Sequence, residues 1–252
     1  MQSPPKPTVA LCLVVFNELG GCKIDVPQLP KEHFNQIYAV DGGSKDGTVE
    51  YLESQGIPAY RQPKRSLNAA YHHAVERCEC DNLVIFFPKG TITPTCTAEI
   101  SRLLASGHDL VVASRSIPGA VNEEDAHFFK PRKWGVGALS WTASILWRRE
   151  GWRIRDVLHG VKGFRVAAFK RMQISEIGVT IDLEMTVRAY RLRIPRAEFP
   201  VSEIARPHGE TNFKIWPTAK KLGKFLLHEL VHDLPEEPAK VSDFAKVSAT
   251  NK

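Results

Sequence analysis

Asp41-Gly42-Gly43-Ser44-Lys45-Asp46-Gly47-Thr48 is the stretch of this 252-residue chain best suited to chemistry. Paired glycines let a backbone reach positive φ and approach a ligand closely, and Asp46 or Thr48 can cap the helix that Val49 and Leu52 begin. The apolar run Ile37-Tyr38-Ala39-Val40 ahead of the turn reads as a buried strand. The turn therefore sits at a strand's carboxyl end, where open α/β sheets bind ligands. The formal charge of +6 favours an anionic partner: a nucleotide, a lipid phosphate or a membrane surface.

The elements that must hold this turn alternate along the chain. Val9–Phe16 is a continuous apolar run of the kind buried on both faces of a parallel sheet, and Asn17 and Glu18 form its polar tip. Leu19–Lys31, with its glycines and prolines, reads as irregular with room for a short helix before Ile37, and Ala59–Arg61 as a short strand. Ser66–Cys78 has helical spacing, Leu83–Phe87 is a buried strand stopped at Pro88, Ala98–Leu104 is a helix closing at Gly107, and Asp109–Ala113 is a further strand. This βαβαβ alternation predicts an α/β fold with a doubly wound, mostly parallel central sheet flanked by helices. Residues 1–8 read as a flexible tail, 9–215 as one domain, 216–234 as an amphipathic basic helix and 235–252 as a disordered tail.

Five cysteines with no paired zinc spacing suit a reducing cytosol, and no apolar run approaches the roughly 18 residues of a membrane span. The expected location is cytoplasmic or peripheral at a membrane. Trp134–Trp152, with Leu139, Trp141, Ile145, Leu146 and Trp147 between its end residues and arginines near its end, is either an interfacial helix or a core stripe.

The ordered set LVVFNE (13–18), VDGGSKDGT (40–48), VVASR (111–115), IRDVLHGVKGFR (154–165) and IDLEMTVRAYR (181–191) resembles the inverting family-two glycosyltransferases of GT-A fold. With Arg206-Pro207-His208-Gly209-Glu210-Thr211-Asn212-Phe213 it is most similar to dolichol-phosphate mannosyltransferase and related polyprenyl-phosphate glycosyltransferases. The resemblance implies a Rossmann-like GT-A domain, a nucleoside-diphosphate sugar as donor, a polyprenyl phosphate as acceptor and no nucleic-acid partner. It leaves the oligomeric state open.

Carried over by position, it implies that Asn17, Glu18 and Asp41 border the nucleotide and that Arg206 and Lys214 contact its diphosphate. Arg115, Arg132 and Lys133 match positions that hold the acceptor phosphate, for which guanidinium forks are suited. Phe87-Pro88-Lys89 stands where the family has Asp-X-Asp, whose carboxylates carry a divalent cation. With neither acid present the metal site is expected to be lost, and either Lys89 supplies fixed positive charge or the chain binds without transferring. Asp182 and Glu184, two apart on a helix, do not share a face, so at most one of them is expected to act as general base toward a saccharide hydroxyl. A phosphate acceptor, already anionic, needs no base, and both acids then serve to orient groups or to stabilise the helix N-terminus.

Overall fold

The structure is a computed structural model that describes residues 7–126, 131–208 and 215–232. A seven-stranded sheet carries the fold. Its strands are β1 (Val9–Val15), β2 (Gln36–Asp41), β3 (Ala59–Arg61), β4 (Asn82–Phe86), β5 (Leu110–Ser114), β6 (Lys162–Arg165) and β7 (Arg196–Pro200), in the spatial order β3-β2-β1-β4-β6-β5-β7. The helices are α1 (Leu19–Asp25), α2 (Thr48–Ser54), α3 (Leu67–Arg77), α4 (Cys96–Ala105), α5 (Pro131–Trp147), α6 (Val166–Met172), α7 (Ile181–Arg191) and α8 (Ile215–Val231).

β1 is buried at every position because it lies between two parallel neighbours and under helices on both faces. Ala10, Cys12 and Val14 point into one core layer, with α3, α5, α6, α7 and Leu222 of α8. Val9, Leu11, Leu13 and Val15 point into the other, with α1, α2 and α4. Each such side chain contributes about 1.5–3 kcal/mol by leaving water.

The sheet is mostly parallel, as expected, and the exception is β6, which runs antiparallel to both β4 and β5. The chain leaves the carboxyl end of β5, passes through α5 and returns at that same edge, so the next strand has to run the other way. Leu19–Lys31 is more regular than the expected irregular segment with a short helix: it is α1 followed by two 3-10 turns. Leu19, Cys22 and Val26 fall on one face, and Cys22 and Val26 are buried in the second core layer. Ser66 caps α3 by accepting the Ala69 N–H at 3.1 Å.

Thr8 is tied to Asp81 by a 2.9 Å hydroxyl hydrogen bond, so the expected tail has an ordered end, whereas residues 1–6 and 233–252 lie outside the described residues. α8 docks through Leu222, Phe225 and Leu226, and among the described residues no helix is long and apolar enough to cross a membrane.

Candidate active site at the carboxyl edge of the sheet

Parallel pairing brings the tips of β1, β2, β4, β5 and β7 to one edge; Val15 pairs with Asp41, and Leu13 with Phe86. The Asp41 carboxylate accepts the Gly43 N–H at 2.8 Å, the Ser44 N–H at 3.0 Å and the Ser44 hydroxyl. It folds the glycine turn back on itself, with Gly43 at φ +97°. Asn17, at φ +51°, accepts the Lys45 N–H on its side-chain oxygen at 2.8 Å and donates its own N–H to Ser44 Oγ at 2.8 Å. Asp46 accepts the Thr48 N–H at 3.1 Å and the Leu19 N–H at 3.1 Å, so it braces α1 and α2 together. Two residues without a sequence signal join here: the Arg65 guanidinium lies 4.0 Å from the Phe16 ring centroid, and Arg61 packs over Gly43.

Across β1 from Asp41 is the β4 tip. Phe87 presses its ring against Gly160, and Lys89 is half-buried with its ammonium 5.0 Å from the Phe87 ring centroid. Burial pulls the Lys89 pKa below that of an ordinary lysine, with Glu18 the strongest influence in the other direction. Arg206, Glu203 and Arg115 also act on it electrostatically, yet among the described residues Lys89 makes no ion pair. Its charged neighbours do. Arg206 pairs with Glu18, and its Nε donates to the His208 carbonyl at 2.7 Å.

Arg115 closes the other flank with a bidentate hold on Asp156, Nε to Oδ2 at 2.8 Å and Nη2 to Oδ1 at 3.1 Å. Its third donor reaches Glu203 at 3.0 Å. Burial would raise the Asp156 pKa, but the Arg115 charge and hydrogen bonds outweigh it and hold the acid at about 2. His159 is pushed down to about 3 by burial and by the neighbouring Arg115 charge, and its Nδ1 is bonded to the Ala113 carbonyl. Glu198, from β7, accepts the backbone N–H groups of Arg155 and Asp156 at 2.8 and 2.9 Å and so fixes the loop that carries Asp156.

Several expected roles change on this geometry. Glu184 is wholly buried and ringed by donors: Ser175 N and Oγ, each at 2.8 Å, Arg188 Nη2 at 3.0 Å and Asn68 Nδ2 at 3.3 Å. A carboxylate so enclosed cannot meet an acceptor, which corrects its candidacy as a base. Asp182 pairs with the buried Lys162 amine at 2.7 Å, and the Tyr71 hydroxyl is 3.4 Å away. Arg115 was expected to grip the acceptor phosphate, whereas its fork is occupied by two acids. Lys133 pairs with Asp125. The Arg132 side chain and all of Lys214 lie outside the described residues. The structure thus gathers Asn17, Glu18, Asp41, Lys89, Arg115 and Arg206 along one edge and sets Asp182 and Glu184 in the core layer of α7.

Glu203 carried no sequence signal, because nothing local marks a residue after an edge strand as an ion-pair partner. Asp25 did carry one: a carboxylate on the apolar face of a short helix, here 2% exposed.

No family model matches the chain. In sequence it is similar to glycosyltransferase AglJ of Haloferax volcanii, 25% identical over 214 residues that cover 83% of this chain and 67% of that one. In structure it is similar to glucosyl-3-phosphoglycerate synthase from Mycobacterium tuberculosis. The complex of that enzyme with Mn2+, UDP and glucosyl-3-phosphoglycerate superposes with a TM-score of 0.65 at 14% identity, covering 88% of this chain and 79% of the other. Its complex with Mg2+ and UDP gives 0.65 at 12% identity, over 88% and 78%. The chain has the GT-A fold.

It is also a homologue of a glycosyltransferase. The synthase complexes hold Mn2+ or Mg2+, whereas the tip of β4 in this chain carries no side-chain carboxylate at 87–89. A ring and an ammonium stand at 87 and 89, and the nearby carboxylates of Glu18, Asp156 and Glu203 are each paired with an arginine. Among the described residues no group of three or more His, Cys, Asp and Glu is placed to hold a metal ion. Hard cations require several oxygen ligands converging on one point.

Proposed function

We propose that this chain moves a sugar from a nucleoside-diphosphate sugar to a polyprenyl-type lipid phosphate, with inversion and without a bound divalent metal. Lys89 is the observation that carries the reading. It is an ammonium with no ion-pair partner among the described residues, half-buried at the carboxyl edge and surrounded by arginines that already have acids. A diphosphate arriving there meets a fixed positive charge in a partly dry site, where such a charge stabilises a leaving anion far more than it would in water. Arg206 adds a second cation as diphosphate competes with Glu18 for its fork.

In the reaction an oxygen of the acceptor phosphate attacks the anomeric carbon from the face opposite the diphosphate. The new carbon–oxygen bond forms as the bond to the diphosphate breaks, and the electron pair leaves on the nucleoside diphosphate. No proton has to move. That fits a site in which Asp182 and Glu184 are committed to other partners. Asp41 and Asn17, by shaping the glycine turn, present its backbone to the nucleotide.

A lipid acceptor is supported by α5. Trp134, Trp141 and Ile145 of α5 are 55, 58 and 69% exposed, and Trp152 beyond it is 55% exposed. Arg153 stacks on Trp141 at 3.8 Å. Tryptophan and arginine together suit the headgroup layer of a bilayer.

The test is transfer from UDP-glucose, GDP-mannose and related donors to polyprenyl phosphate in phospholipid vesicles, with and without EDTA. Turnover that persists in chelator and collapses in Lys89→Ala supports the reading. Turnover abolished by EDTA and restored by Mn2+ or Mg2+ removes the metal-free form, and transfer to a soluble saccharide in place of the lipid removes the acceptor.

A further inference from the structure

α1 meets the Lys89 turn along one face, at positions 21, 24 and 25, the three-and-four spacing that stacks side chains on a helix. At 21 the residue is glycine: a Cβ there would collide with the Pro88 carbonyl oxygen and come within 2.7 Å of Lys89 Cα. Ile24 covers Gly90, which sits at φ +68° and where a Cβ would lie 2.9 Å from Ile24 Cδ1. Asp25 completes the face by accepting the Gly90 N–H on Oδ2 at 2.8 Å. The same helix is preceded by Glu18, the partner of Arg206.

Asp25 is a poor device for stability alone. Burial pushes its pKa up to about 6, against the pull of the Gly90 amide and with Glu18 adding to the rise. The titratable groups that face it are Glu18, Cys22 and Cys96, and among the described residues it has no ion-pair partner. An acid whose folded pKa is raised is protonated more readily in the native state, so its contribution to stability is lost as pH climbs from 3.8 to about 6. At neutral pH the charge therefore works against folding, while the hydrogen bond it makes sits one residue from Lys89.

We propose that Asp25 is a positioning residue for Lys89: its carboxylate holds the Gly90 N–H and so fixes the backbone from which the ammonium reaches the donor diphosphate. The inference rests on the reading of Lys89 given above.

The full chain, labelled with nitrogen-15, tests it in two arms. The Gly90 amide resonance is followed against pH in wild type and in Asp25→Asn; an inflection near pH 6 that vanishes in the variant is expected. Inorganic pyrophosphate is then titrated at pH 7.5 into wild type, Asp25→Asn, Asp25→Ala, Lys89→Ala and the double variant Asp25→Ala/Lys89→Ala. Asp25→Ala should weaken binding about tenfold, as loss of a charged hydrogen bond does, with no further loss when it is added to Lys89→Ala. A Gly90 resonance that does not titrate overturns the role of Asp25, as does an affinity lowered by Lys89→Ala but untouched by Asp25→Ala. Pyrophosphate affinity unchanged in Lys89→Ala, or a wild type that does not bind it, overturns the reading of Lys89 and this inference with it. Asp25→Asn preserves side-chain volume, so the first arm stands even where Asp25→Ala does not fold.

Discussion

Two groups of charged side chains in this molecule look alike in composition and net charge and differ in the balance of their contact pairs. Behind α7, Glu184 and Glu229 share Arg188, Glu229 also binds Arg191 at 2.8 Å, and Asp182 holds Lys162. Each charge there has an opposite charge within contact. At the carboxyl edge three acids, Glu18, Asp156 and Glu203, face three cations, but their contact pairs all go to Arg206 and Arg115, and among the described residues Lys89 has none. A closed network of buried ions cements helices together, because removing one member strands another in low dielectric. A network with an unmatched cation keeps its attraction for an anion from outside. The difference teaches that neither the number of charges nor their sum, zero in both groups, says where a charged ligand is wanted; the cation left without a contact partner does.

Breaking the balanced group should give the largest effect. Glu184→Ala leaves Arg188 without one of its two acids and should cost about 3–5 kcal/mol, a fall of about 10 °C in melting temperature read by calorimetry. A variant that melts as wild type does would remove the distinction between the two groups. Breaking the unbalanced one should spare the fold and strike turnover: Lys89→Ala is expected to lower kcat/KM about 10²–10³-fold, as loss of one oxyanion donor does, with no loss in melting temperature. Its pH profile sharpens the point. Burial lowers the Lys89 pKa, so wild-type donor affinity should fall on the alkaline side earlier than an ordinary lysine would give, and Lys89→Arg, which stays charged, should remove that limb.

A third measurement tests the acceptor side. Trp141→Ser should weaken sedimentation with anionic vesicles about tenfold while leaving nucleotide binding intact, since one interfacial tryptophan is lost and the edge is untouched. Smaller again is a linkage effect on the Arg115–Asp156 flank of the carboxyl edge. His159 is held neutral with a pKa of about 3, so the unfolded chain takes up a proton first as pH falls below 6.5, and stability drops through that window. His159→Asn should flatten the dependence of the urea midpoint on pH between 7 and 4, and an unchanged slope would show that another group sets it. Smallest is Arg102→Ala, which opens the exposed Arg102–Glu99 pair and should move the melting temperature by less than about 1 °C.

The elements were largely legible from the residues. Strand β1 shows itself as an unbroken apolar run, α3 through its serine cap and the glycine turn through its density of small and acidic residues, because these are local preferences that depend on neighbours a few positions away. The place of α1 was left open because glycines at 20 and 21 argue against a helix until the Pro88–Lys89 backbone and the His208 ring are seen packed on them. β6 was not read as a strand, and its direction depends on the edge at which the chain returns. Among site residues, Asp41, Glu18 and Lys89 stood out at strand tips, and the sheet brings them to one edge. Glu203 and Arg65 gave no signal.

By itself the sequence determined the alternation of strands and helices, the acid-free tip of β4 and the excess of basic side chains, since each depends on residue types and their spacing. Only the tertiary structure decided which charges cancel. Arg115 finds Glu203 across 88 positions and Arg206 finds Glu18 across 188, while Lys89 among them finds no ion pair within the described residues. Electrostatic pairing acts through a few ångströms of space, and separation along the chain carries no information about it.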